Sequence, residues 1–143
     1  MKYTGMFLGA AMLTMAGCAS VPMADATADQ QAKSFVTATD KANIYIYRNE
    51  SLGAAIKMPV LVNDKAVGDT AAKTYIFRQV EPGSYTITSK SENDSQLQVS
   101  AEAGKNYFIW QEVKMGTWSA GSKLQLVDEA QGTAGVKESK LIK

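Results

Sequence analysis

From Ala42 to Val127 the chain is written in short runs of alternating character, broken by turn residues about every eight to twelve positions. NIYIYR (43–48), TYIFRQV (74–80), SYTITSK (84–90), QLQVSAE (96–102), NYFIWQEV (106–113) and KLQLV (123–127) are such runs, rich in β-branched and aromatic residues. A period of two sends successive side chains to opposite faces, which suits a strand and not a helix. MPVLV runs into Asn63-Asp64-Lys65 and then KAVG, which reads as a tight hairpin. Glu81-Pro82-Gly83 is the next turn, with proline presetting φ and glycine tolerating a positive one. Ala103-Gly104-Lys105 is expected to join QLQVSAE and NYFIWQEV as a further hairpin. The fold class this pattern predicts is all-β, a sandwich or barrel of about seven to eight strands.

The segments on either side differ in character. Ala19 to Lys41 is rich in Ala, Thr, Asp and Gln and poor in large apolar residues, which suits a tether with a short helix over Ala24 to Lys33. Fully extended it would reach at most about 80 Å, and as a flexible coil nearer 25 to 30 Å. Asp128 to Lys143 can form a weak helix, interrupted by Gly132 and Gly135. The expected organisation is residues 1–17 as a cleaved leader, 18–41 as a tether and 42–143 as the β-domain.

Composition narrows the chemistry. Fifteen basic residues stand against 14 acidic ones, so the surplus of positive charge that nucleic acid demands is missing. The 143 residues include one cysteine and no histidine, which removes the intrachain disulfide, the commonest general base and the commonest zinc ligand. No catalytic, cofactor-binding or metal-binding residue is assigned on this basis, and the protein is expected not to be an enzyme.

The amino terminus reads as an address. One positive charge at Lys2 precedes an uncharged apolar run, and small residues stand just before Cys18. Met6 to Ala16 spans roughly 16 Å as a helix, about half the roughly 30 Å hydrocarbon core of a bilayer. Met15-Ala16-Gly17-Cys18 resembles the lipobox of bacterial lipoproteins, Met15 standing where an aliphatic residue is usual. The resemblance implies cleavage between Gly17 and Cys18, diacylglycerol on the Cys18 sulfur and an acyl chain, typically palmitate, on the new terminal amine. Two or three chains anchor a protein far more firmly than one. Ala19 is not the aspartate that retains many such proteins in the inner membrane, so the resemblance implies the outer membrane, periplasmic face.

A second resemblance covers most of the chain after Cys18. AKSF, KANIYIYRNE, GAAIKMPVLVNDKAVGDTAAKTY, EPGSYTITS and AGKNYFIWQEVKMGTWSAGSKLQLVDE, in that order, resemble a family of small bacterial lipoproteins, the domain of unknown function 2846 family. That resemblance implies a prealbumin-like or immunoglobulin-like β-sandwich on a lipid tether, and it implies no reaction, substrate or catalytic residue.

Residues that could carry function remain to be weighed. Glu92, Asp94, Glu102, Asp128 and Glu129 fall in loops or at strand ends, where solvated charges normally lie. Ser119 to Lys123 offers serine and lysine without the spacing of a known dyad. The aromatics say more. Tyr45 and Tyr47 share one face of NIYIYR and Ile44 and Ile46 the other; Phe108 and Trp110 oppose Tyr107, Ile109 and Val113. Strands apolar on both faces are central in a sheet, their second face covered by a helix, by the tail or by a partner. Trp118 sits in a glycine-flanked loop, either as a plug of the sandwich end or as a contact. The expected function is non-catalytic binding of an envelope protein, with Trp118, Trp110, Tyr45, Tyr47 and Lys114 as contact candidates. The alternative is inhibition of a lysozyme-type enzyme through the loop from Lys114 to Lys123; a carboxylate-based hydrolase is the weakest reading.

Overall fold

The structure, a computed structural model, describes residues 20–116 and 120–143. Within them lie nine strands: β1 Ala42–Arg48, β2 Met58–Val62, β3 Lys65–Thr70, β4 Thr74–Val80, β5 Gly83–Ser89, β6 Ser95–Ala101, β7 Asn106–Met115, β8 Ala120–Val127 and β9 Lys140–Leu141. Two short helices, α1 Ala26–Ala32 and α2 Glu129–Lys137, complete the elements. The strands form a β-sandwich, one sheet ordered β8-β7-β1-β4-β9 and the other β3-β2-β5-β6. The all-β expectation is met, with the two-residue β9 added to the expected strands.

Pattern dictates position in the sheets. β1 and β7 are apolar on both faces, and they lie side by side inside the five-stranded sheet, parallel, with Tyr45 opposite Phe108. On one face Ile44, Ile46, Ile76 and Ile109 meet Val60, Ile87 and Val99 of the second sheet. On the other, Tyr45, Tyr47, Tyr75 and Phe108 pack with Ala32 of α1 and Val136 of α2. Burying such side chains contributes about 1.5–3 kcal/mol each, so β1 is worth roughly twice what a one-faced strand would be. The β2–β3 hairpin turns on Asn63 and Asp64, with φ of 48° and 64°, the left-handed pair that a two-residue type I′ turn requires.

Three expectations need correction. β6 and β7 do not form a hairpin: β6 pairs with β5, and residues 102–105 carry the chain across to the other sheet. β6 alternates buried with exposed positions and suits an edge with one wet face, whereas β7 needs cover on both. Residues 20–41 are not a free tether: Met23 bridges Ile142, the Ala24 N–H donates to the Leu141 carbonyl, and α1 docks on the sheet. Gly132 and Gly135 do not interrupt α2. They are buried against the sheet, where an added Cβ would stand 2.2 Å from the Phe108 ring and 2.1 Å from that of Tyr47. The glycines let the helix backbone lie directly on the two rings.

β1 and β7 run toward the same end of the sandwich. That near end carries the loop 49–57, the turn 71–73, the loop 90–94 and Met115; Ser20 lies in a groove there with Ala71, Lys73 and Lys140. Arg48 is fully buried at this end and donates to the carbonyls of Gly53, Ile56 and Thr70, pinning the loop 49–57. Beside it Thr70 donates to Gln111 Oε1 at 2.6 Å, and Gln111 Nε2 donates to Ser89 Oγ at 2.7 Å. The far end holds the turns at 63–64, 81–82 and 102–105.

Candidate functional site

The site is built on α1. Asp25 caps the helix, its carboxylate accepting the Ala28 N–H at 2.7 Å. Seven residues are too few to hold a helix alone in water, so tertiary bonds must fix it. Asp29 supplies two of them, its carboxylate accepting from the Tyr75 hydroxyl at 2.8 Å and the Leu141 N–H at 3.0 Å, and within the helix it also accepts from Lys33 Nζ at 3.0 Å. Burial alone would raise the Asp29 carboxyl, but those three donors outweigh it and hold the group below the usual aspartate value. At the other end of the helix the Ala32 carbonyl accepts the Tyr45 hydroxyl at 2.7 Å. Burial pushes the Tyr45 phenol up to about 12, which keeps it a neutral donor.

Beyond α1 the chain reverses at Phe35, whose φ of 56° turns its ring inward against Tyr45 and Phe108, at centroid distances of 5.4 and 5.8 Å. Between this segment and the sheet lies a groove of about 580 Å³. Tyr45, Phe77 and Gln79 line it from the sheet, and Gln31, Ser34, Val36, Thr37 and Ala38 from the opposite wall. Val36 is 72% exposed at its lip. Among the described residues no charged side chain lines the groove.

The groove runs beside an open sheet edge. β9 pairs with β4 only at Thr74 and Tyr75, so among the described residues the edge from Ile76 to Val80 has no strand partner on that side; the Phe77 carbonyl there accepts Arg78 Nη1 at 2.9 Å, whose Nη2 donates to the Val67 carbonyl of β3 at 2.6 Å. An apolar floor, neutral donors and acceptors and an unpaired strand edge are the parts from which strand addition is built. They suit an extended, uncharged ligand. Among the described residues no three possible metal ligands come together.

Of the residues singled out from sequence, Tyr45 alone borders the groove, at its buried base. Tyr45 and Tyr47 are each 1% exposed beneath the helices, so they are packed core and not surface contacts; the tail and α1 supply the cover that two-faced strands require. Trp110 is half-buried against the same cluster. Lys114 is exposed at the near end and pairs with Glu112 at 2.8 Å. Gly17, Cys18 and Trp118 lie outside the described residues. Sequence reasoning missed Gln31, Ser34, Val36, Phe77 and Gln79 as a set. Phe35 and Val36, two large apolar residues in an otherwise polar segment, were the available sign that the segment docks.

A sequence model of the family described as "Protein of unknown function (DUF2846)" matches residues 38–122, from just before β1 to the start of β8. An uncharacterized protein of Haemophilus influenzae is 34% identical over 134 residues, covering 92% of this chain and 79% of the relative. The matched span contains β1 to β7, most of the sheets' core residues and the β4 edge, and the chain belongs to the DUF2846 family.

Proposed function

We propose that this chain is a lipid-anchored protein of the bacterial outer membrane, on its periplasmic face, that binds an extended segment of another envelope protein without catalysing a reaction. The observation that carries the binding reading is the uncharged groove of about 580 Å³ beside the unpaired edge of β4. Backbone pairing along Ile76 to Val80, with Arg78 displaced from the Phe77 carbonyl, would supply affinity, and the half-buried Phe77 would select apolar side chains at alternate positions. The anchor reading rests on Met15-Ala16-Gly17-Cys18 closing an apolar run. It makes the membrane the first partner, through diacylglycerol and an acyl chain on Cys18.

Photo-crosslinking in intact cells tests the groove. A crosslinker in place of Val36 or Gln79 is expected to capture a discrete protein that one in place of Gln98, on the far sheet, does not. Equal background at all three positions would sink the binding reading. Cys18→Ser is expected to leave an unprocessed precursor that takes up no labelled fatty acid; a mature-sized, labelled product from that variant would end the anchor reading.

A further inference from the structure

Ser20, the first described residue, lies in a groove at the near end of the sandwich. Cys18 is two residues earlier, and two fully extended residues reach at most about 7 Å. A domain held to lipid by so short a link cannot swing clear of the bilayer. The end that bears Ser20 must face it.

That end is also where apolar side chains stand open. Among the described residues five large apolar side chains are exposed, and three of them, Met23, Leu52 and Met115, are here, at 42%, 51% and 51%. A series of contacts connects them across this end. Met23 and Glu138 line the groove with Ser20. Glu138 accepts from Asn49 Nδ2 at 3.0 Å, and the loop that follows Asn49 carries Leu52. Gly53 then brings this loop against the β7 end, since a Cβ there would be 3.6 Å from the Met115 sulfur. Lys57, Lys73, Lys90, Lys114 and Lys140 at this end stand against Glu50, Glu92, Asp94, Glu112 and Glu138, and Lys90 and Lys114 are paired with Asp94 and Glu112, so the face offers no strong surplus of positive charge. Apolar contact, not attraction to anionic headgroups, is what this surface can supply.

We propose that the near end is a bilayer-seating surface, on which Leu52 and Met115 enter the headgroup region of the membrane that holds the acyl chains. The inference rests on lipidation of Cys18 as read above. The domain then stands on this end, with the turns at 63–64 and 102–105 farthest from the membrane. β1, seven residues long, sets the height between the ends at roughly 23 Å. Val36 and Ala38 of the groove lie toward the far end, open to the periplasm.

The full lipidated protein in vesicles of phosphatidylethanolamine and phosphatidylglycerol provides the test. Its single cysteine is consumed by lipid, so Leu52→Cys, Met115→Cys or Asp64→Cys each accepts one fluorophore cleanly. A quencher carried on the lipid headgroup is expected to act several-fold more strongly at positions 52 and 115 than at 64. The same ratio is expected in phosphatidylcholine vesicles. Equal quenching at all three positions on acylated protein overturns the inference alone, as does a ratio that requires anionic lipid. Purified protein without acyl chains overturns the anchor reading and this inference with it. A photo-crosslinker at Leu52 that captures a protein in cells, in place of lipid, also overturns it.

Discussion

Asp29 is the residue on which the groove wall depends. Three donors converge on its carboxylate, and two of them, Tyr75 and Leu141, come from the sheet that α1 must dock against. Its folded value lies below the ordinary 3.8, so the folded chain takes up that proton less readily than the unfolded one. The stability it contributes is therefore complete above the unfolded value and drains as pH falls through the lowered folded value. Asp29→Asn keeps an oxygen for Tyr75 and Leu141 but removes the charge that strengthens those bonds, and should cost about 1 kcal/mol near neutral pH. The variant and the native protein should converge in urea midpoint as pH falls below the ordinary aspartate range; a gap of constant size would show that the carboxylate charge contributes nothing. In sequence, Asp29 is one of several polar residues in ADATADQQAKSF. Its partners lie 46 and 112 positions away, and local pattern holds no trace of such distances.

At the scale of elements, strands declare themselves through period two, and turns through Asn63-Asp64 and Glu81-Pro82-Gly83. The bounds of β4 coincide with the alternating run TYIFRQV. Pairing is less legible, because the choice between a β6–β7 hairpin and a crossover depends on which strand needs two covered faces. α2 shows a different limit. Glycine lowers helix propensity by about 1 kcal/mol relative to alanine, and on that ground Gly132 and Gly135 read as interruptions. Their use is steric: three apart, they share the face that lies on Phe108 and Tyr47. Gly135→Ala should thus destabilise the protein by about 1–2 kcal/mol, overpacking against the buried Tyr47 ring outweighing the propensity gain. Thermal melting of the variant checks this, and an unchanged or raised midpoint would mean that the ring or the helix yields freely. Ala134→Gly, the reverse exchange at an exposed position of the same helix, measures the propensity difference alone.

For the whole molecule, docking of residues 20–41 would leave the proposed anchor at Cys18 only a short link, and so turns a question of reach into one of orientation. Composition could not show this, since a polar segment reads as tether until its few apolar residues are seen to pack. Two half-exposed side chains such as Leu52 and Met115 can gain only about 1.5–3 kcal/mol by leaving water, too little to seat a domain from solution. With the proposed lipid on Cys18 holding it within about 7 Å of the bilayer, the same surface would meet lipid at very high effective concentration. Orientation should therefore depend on link length. A Gly/Ser insertion of about twenty residues between Ala19 and Ser20 would span roughly 25 Å as a coil, comparable to the height of the domain itself. The preferential quenching at position 52 over 64 is expected to shrink toward equality in that variant, while acylation and thermal stability stay unchanged. If the preference survives the insertion intact, the near-end surface binds lipid on its own strength, and the short link is not what orients the domain.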